Sequence, residues 1–277
     1  MAKISIIIPT FNSAAFIIPC LDSILSQITP KTEVIIIDNG SKDSTISLAQ
    51  KRYPQARLIA NKTNLGACVA RNQGLAIAEG EWIITLDCDI ILRNNFLAQT
   101  ANLIKTLPEK TGSVQFKILR ASQNKIFSTG IKRDILNRFH DIHKGSSSSG
   151  FDSAKDVFGA CCAAALYRRK MLEDVKDKHG YFDERLFFLF EDADIAWRAK
   201  RKGWSCMYYP QITCFHHGNS SSTDKKARQY LSFRNRQRLI LKNEAAWLIL
   251  LKLPFYLAYD IPRAFILLKN SILTQNN

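Results

Sequence analysis

The sequence predicts an α/β fold, with a mostly parallel central sheet flanked by helices and amphipathic helices at the C-terminal end. Three observations carry this expectation. Short β-branched runs alternate with helix-period segments through the first hundred residues. The runs are apolar without period-2 alternation, as strands covered on both faces must be. Polar residues gather where the runs stop, which is where parallel sheets bind ligands.

Residues 4–10, ISIIIPT, form the first expected strand, and residues 14–27 have helical spacing. EVIIIDNGS (33–41) is the second strand; it stops at Asp38 and an Asn-Gly turn, with Ser41 or Asp43 expected to cap the next helix. RLIANKTNLG (57–66) holds the third strand, and ACVARNQGLAIAEG (67–80) is a helix closed by Gly80. WIITLDCD (82–89) is a fourth strand ending in acids. The strand ends therefore carry Thr10, Asn12, Asp38, Asn39, Asp87 and Asp89.

The middle is less regular. HDIHKGSSSSGFDS (140–153) reads as a loop or as a lid that orders on binding. VFGACCAAALYRR (157–169) is rich in small residues suited to tight packing, and a helix is expected from near Arg169. We divide the chain into residues 1–243, with halves 1–110 and 111–243, and an amphipathic segment 244–277. That last segment is strongly apolar but interrupted by Lys252, Pro254, Asp260, Pro262 and Arg263, so no membrane span is expected. Two short helices bearing Trp247, Tyr256 and Tyr259 suit an anionic membrane interface, or packing on the domain or a second subunit.

At 277 residues and 46% hydrophobic content the chain can bury a real core, which excludes disorder for most of its length. Its seven cysteines are scattered and none forms a CxxC, so neither a zinc site nor a disulfide framework is expected. A reducing, cytoplasmic setting follows, and the start is too short in apolar residues for a secretory signal. The net charge of +15 is uneven. Residues 1–100 carry 9 Lys/Arg against 8 Asp/Glu, whereas residues 195–277 carry 14 against 3, which points to an anionic partner. Nucleic acid is not expected, because no zinc-finger, helix-turn-helix or RNP-like pattern is present.

Asp87-Cys88-Asp89 places two carboxylates at a strand end, a hard-oxygen arrangement suited to Mg²⁺ or Mn²⁺. Asp38 could accept hydrogen bonds from a nucleobase or ribose. FFLFEDADIAWRAKRKGW (187–204) sets Glu191, Asp192 and Asp194 behind large apolar residues at an expected helix start. A helix N-terminus favours ionised carboxylates, and Asp194 can pair with Arg198 four residues on.

IIIPTFN, IIIDNGSKDST, NLGACVARNQGL, the D-x-D and FLFEDADIAWRAKRKGW occur in the order found in family 2 glycosyltransferases, so from about Ile4 to Asn243 the chain resembles that family. Within it, the chain looks like the rhamnosyltransferase-like branch. The resemblance implies a Rossmann-like GT-A fold and an inverting transfer from a nucleoside-diphosphate sugar (dTDP- or UDP-linked) to a glycan or polyprenyl-linked acceptor at the inner face of the cell membrane. It implies that Pro9, Thr10, Asn12, Asp38, Asn39, Arg71, Asp87 and Cys88 contact the donor nucleotide. Asp89 would be the firmer metal ligand beside Asp87, and Asp192 the catalytic base supported by Glu191. Many relatives have Asn-Pro-Asp where this chain has Asp-Cys-Asp, which strengthens the metal expectation. His216 is expected over the diphosphate or metal, with neighbouring His217 leaving the register open by one residue, although alternation favours His216. Trp197, Arg234 and Arg236 complete the expected acceptor or diphosphate contacts, and the two arginines read equally well as a solvated helix face. The alternatives are a sugar-phosphate nucleotidyltransferase and a non-catalytic basic binding protein.

Overall fold

A computed structural model of the chain describes residues 2–218 and 224–275. Strands and helices alternate first as β1 (Ile4–Thr10), α1 (Ala14–Leu25), β2 (Thr32–Asp38), α2 (Thr45–Arg52), β3 (Arg57–Ala60), α3 (Ala67–Ile77) and β4 (Trp82–Leu86). There follow β5 (Ile90–Leu92), α4 (Phe96–Ile104), β6 (Thr111–Arg120), β7 (Ile126–Ser128), β8 (Ile131–Arg133) and β9 (Phe139–Asp141). The rest comprises β10 (Lys155–Val157), β11 (Ala164–Arg168), α5 (Arg169–Val175), α6 (Glu191–Arg201), β12 (Ser205–His216), α7 (Lys225–Asn243) and α8 (Ala246–Gln275).

Among the described residues ten strands form one sheet, whose main path runs β10-β12-β6-β11-β4-β1-β2-β3. β3, β2, β1 and β4 are parallel neighbours, and β12 is parallel to β6. β11 runs antiparallel between β4 and β6, joining the two halves of the chain in one sheet. Its Ala164 and Ala165 are fully buried there, which explains the small residues of that segment. The register of β1 on β2 places Thr10 opposite Asp38, so the polar strand ends meet along one edge.

Both faces are covered. Ile6 and Ile8 of β1 join one apolar cluster with Leu21, Ile36 and Phe96, whereas Ile7 faces a second cluster with Tyr167, Phe182 and Trp197. That is the physical reason the strands lack alternation.

Two expectations change, and the choice of cap between Ser41 and Asp43 is decided. α3 stops at Ile77 and does not reach Gly80. A Cβ at Gly80 would lie 2.5 Å from the Ser5 hydroxyl, so this glycine serves close packing, not helix termination. The cap of α2 comes from Asp43, whose carboxylate accepts from the Thr45 amide at 3.0 Å, while Ser41 turns to Asp38. The C-terminal segment is one helix, α8, instead of two. Pro254 and Pro262 lie inside it, each removing one helical donor.

Candidate active site

The acids at 191–194 owe their position to a strained approach. A short 3-10 turn at Glu184–Leu186 is followed by left-handed backbone at Phe187 (φ 64°), Leu189 (φ 72°) and Phe190 (φ 69°). Such angles cost bulky residues on the order of 1–3 kcal/mol each and persist only where surroundings enforce them. Asn235 of α7 supplies the enforcement. Its Nδ2 donates to the carbonyls of Leu186, Phe188 and Leu189 at 2.9, 2.8 and 2.8 Å. From the other side Gly66, at φ 89°, admits the Phe187 carbonyl to within 2.5 Å of where a Cβ would stand. The chain then enters α6 at Glu191.

Asp194 is fully buried and meets Arg198 at 2.7 Å, Lys242 at 3.0 Å and the Asn243 amide at 2.9 Å. It fastens α6 to α7 and takes no part in the cleft.

Across the cleft, Asp87 directly follows β4 and its amide donates to the Ala163 carbonyl at 2.8 Å. β5 follows at once, and its Ile90 pairs with His216 at the end of β12. This register carries His216 to the D-x-D: its Nε2 lies 3.2 Å from Asp89 Oδ1. Asp87, Asp89 and His216 each present a ligand atom, all within 4.8 Å of one another. His216 Nδ1 is buried without a hydrogen-bond partner. Two carboxylates and one imidazole are a donor set that suits Mn²⁺ or Mg²⁺. The residues fit a divalent ion.

Arg71 of α3 connects the two walls. It is 3% exposed, donates from Nη2 to Asp87 Oδ1 at 2.9 Å and from Nη1 to Glu191 Oε1 at 2.7 Å. Burial pushes the Asp87 carboxyl up while the guanidinium opposes that shift. Asp192 is half-buried beside Glu191. Burial, then the like charges of Glu191 and Asp141, push its carboxyl up to about 8. Desolvation and two neighbouring acids thus act against the helix N-terminus expected to keep Asp192 ionised.

A cavity beside Arg71 is lined by Pro9, Thr10, Asn39, Asp87 and Cys88, with Phe188 closing it. It opens beside a larger cleft of about 400 Å³ that holds Asp89, Glu191, Asp192 and His216 and shares Arg71 and Asp87 with the cavity. Two expected donor contacts sit outside these linings. Asp38 is fully buried, accepting from the Thr10 hydroxyl at 2.9 Å and the Ser41 amide at 2.8 Å, and Asn12 accepts from the Lys42 amide at 2.8 Å. Both shape the loop that carries Thr10.

The expected acceptor or diphosphate contacts lie outside both linings. Arg236 is buried against Asp260 at 2.6 and 2.8 Å, and it lines neither space. Arg234 donates to the Leu186 carbonyl at 3.0 Å and helps hold the strained loop. Trp197 lies in the core beneath the cleft, with Arg133 stacked 4.3 Å above its ring. His217 is exposed, and its amide donates to the Asp89 carbonyl at 3.0 Å, so the imidazole at the acids is that of His216. The serine run that blurred this register lies outside the described residues.

Sequence reasoning missed Asn235, Gly66, Asp141 and the cleft cations Arg120, Lys144 and Arg228. The basic surplus signalled cations near the site. Helical phase, with Leu231, Asn235 and Leu239 buried, could have set Arg228 on the inward side of α7.

The family model described as Glycosyl transferase family 2 matches residues 5–176. An uncharacterized glycosyltransferase of Haemophilus influenzae is 33% identical over 141 residues, covering 49% of this chain and 56% of that protein. A poly(ribitol-phosphate) beta-glucosyltransferase of Bacillus spizizenii is 37% identical over 109 residues, covering 37% of this chain and 17% of that protein. The chain thus spans little more than half the length of one curated relative and less of the other. Among solved structures, the mannosyltransferase PcManGT from Pyrobaculum calidifontis in complex with GDP-Man and Mn²⁺ superposes with TM-score 0.62 at 19% identity, covering 98% of this chain and 75% of that one. GalNAc-T7 with UDP, GalNAc and Mn²⁺ gives TM-score 0.67 at 14% identity, covering 87% and 48%. These likenesses establish the fold. With the family match covering more than half of the chain, and the D-x-D and the acid pair facing one cleft, this protein has the GT-A fold and belongs to glycosyl transferase family 2.

Proposed function

We propose that the chain transfers a sugar from a nucleoside-diphosphate donor to a hydroxyl of a glycan or polyprenyl-linked acceptor, inverting the anomeric carbon, in cell-surface polysaccharide synthesis. One observation carries this reading: Asp87, Asp89 and His216 face Glu191 and Asp192 across one cleft, with Arg71 bonded to both walls. A dTDP- or UDP-linked sugar is the proposed donor, with rhamnose the sugar the sequence resemblance suggests. The relative and neighbours whose names mention a glucosyltransferase, UDP with GalNAc, or GDP-Man support the donor class and not one sugar.

Asp87, Asp89 and His216 would hold Mg²⁺ or Mn²⁺, which when bound offsets the charge developing on the leaving diphosphate. The cavity at Thr10, Asn39 and Phe188 takes the nucleoside. Arg120, Lys144 and Arg228 make the cleft attractive to anionic groups. The acceptor hydroxyl donates its hydrogen bond to Asp192. As its oxygen bonds to C1, the C1–oxygen bond to the diphosphate breaks, the electron pair leaves with the diphosphate, and Asp192 takes the proton. Glu191, fixed by Arg71, holds the start of α6 in place. The expected place of work is the inner face of the cell membrane.

Asp192→Asn keeps the shape and removes the base. It should bind the donor nucleotide normally and lose transfer by about 10²–10⁴-fold. Undiminished transfer would overturn the assignment. Release of pyrophosphate from a nucleoside triphosphate and a sugar phosphate would instead indicate nucleotidyl transfer.

A further inference from the structure

Helix α8 is turned inside out relative to a helix on a soluble domain. Such a helix buries its apolar stripe and exposes its polar one. Here Lys252, Tyr256 and Asp260, at i, i+4 and i+8, make the docked stripe. Tyr256 is 6% exposed and its hydroxyl accepts from Asn137 Nδ2 at 2.7 Å. Asp260 accepts from Arg236 and from Gln237 Nε2 at 2.7 Å, and Lys252 donates to Glu244 at 2.8 Å. The opposite stripe is apolar and open to solvent: Trp247 is 65% exposed, Leu250 70%, Leu251 66% and Phe265 68%. Ile135, next to the Leu136 and Asn137 that meet Arg236 and Tyr256, is 79% exposed.

An apolar stripe of this length needs a partner. Among the described residues no helix is long and apolar enough to cross a membrane, so insertion across a bilayer does not account for it. Charge chooses among surface partners. The chain carries +15 overall, and the C-terminal third holds a surplus of 11 cations over acids. Arg138 and Arg263 stack on Tyr259 along the flank of α8, and Arg201 reaches the Asn243 carbonyl at its start. A second copy pressed against this face would bring like charges together. An anionic surface would neutralise them.

We propose that the Trp247–Phe265 face of α8 lies in the interface of a bilayer containing anionic lipid, apolar side chains in the acyl boundary and flanking arginines at the headgroups. This goes beyond the sugar-transfer reading and does not depend on it. It would bring the cleft to the surface where a polyprenyl-linked acceptor resides.

The protein contains its own probe. Trp82, Trp197 and Trp204 are 3%, 4% and 6% exposed, so a change in tryptophan emission on binding reports Trp247. The full chain is mixed with phosphatidylcholine vesicles with and without phosphatidylglycerol. The expected result is a blue shift and co-sedimentation with the anionic vesicles only, weakened at high salt. Leu251→Glu/Phe265→Glu should reduce that partition on the order of a hundredfold, since each change removes one buried apolar side chain. Its melting curve shows whether it folds. Should it not, Trp247→Phe in the otherwise unchanged chain must abolish the blue shift and keep co-sedimentation. Absence of binding to both vesicle types overturns the proposal. So does a concentration-dependent dimer that Leu251→Glu disrupts, in a protein that ignores vesicles.

Discussion

The guanidinium of Arg71 and the carboxylate of Glu191 meet at 2.7 Å across the joint between α3 and α6, 120 residues apart in the chain. The same guanidinium reaches Asp87, so one buried cation sets the distance between the D-x-D and the acid pair.

Arg71→Met should therefore cost about 3–5 kcal/mol in denaturant unfolding, because it strands buried carboxylates. Arg71→Lys should recover little, since a single ammonium cannot reproduce the two-armed geometry. A double-mutant cycle with Glu191→Gln should return a coupling of about 1 kcal/mol or more.

The acid pair predicts a pH dependence. Asp192 has its carboxyl raised to about 8 against an ordinary 3.8. Between those values the folded protein binds a proton that the unfolded chain releases, so this group's contribution to stability falls as pH rises through the window. Asp192→Asn should accordingly remove this group's share of the decline of Tm between about pH 4 and 8. Transfer needs the ionised form, so kcat/KM should rise toward an apparent pKa near 8. Asp141→Asn, which removes a like charge, should move that limb to lower pH.

The strained loop predicts losses of activity larger than losses of stability. Asn235→Ala removes the amide shared by three carbonyls, of which Leu186 alone keeps Arg234, and should lower kcat at least about tenfold through misplaced acids. Asn235→Asp should fail too, because a carboxylate cannot donate. Gly66→Ala should behave alike, because its new Cβ would stand 2.5 Å from the Phe187 carbonyl and displace it. Steady-state kinetics beside thermal melts separate the two effects.

Arg236 predicts the reverse pattern. Arg236→Ala takes the nearest cation from the buried Asp260, leaving it Gln237 and the more distant Arg263, and should destabilise by up to about 3–5 kcal/mol while leaving nucleotide affinity unchanged. Arg236→Met/Asp260→Leu should regain most of that stability. Calorimetric nucleotide titration and denaturant melts on the same preparations check both.

Much of this was legible in the sequence. The four parallel strands showed because two-sided burial erases alternation, and the strand-end acids followed from where those runs stop. Asp87 and Asp89 stood at one such end, and alternation in β12 chose His216 over His217. Side-chain commitments were not legible. Nothing local to SFRNRQRL says that Asn235 faces three carbonyls of the loop at 186–189, or that Arg236 has Asp260 as partner 24 residues later. The forces that raise the Asp192 carboxyl were not legible for a similar reason. A helix N-terminus is local, whereas burial and Asp141 arrive with the tertiary fold.

The most direct measurement is calorimetric titration of nucleoside diphosphates into the wild-type chain and into Asp89→Ala, each with and without Mn²⁺. The account predicts binding to wild type that strengthens markedly with Mn²⁺, and an Asp89→Ala protein that folds but no longer responds to the ion. Nucleotide binding that ignores Mn²⁺ in wild type, or an Asp89→Ala variant with the full metal response, would contradict it.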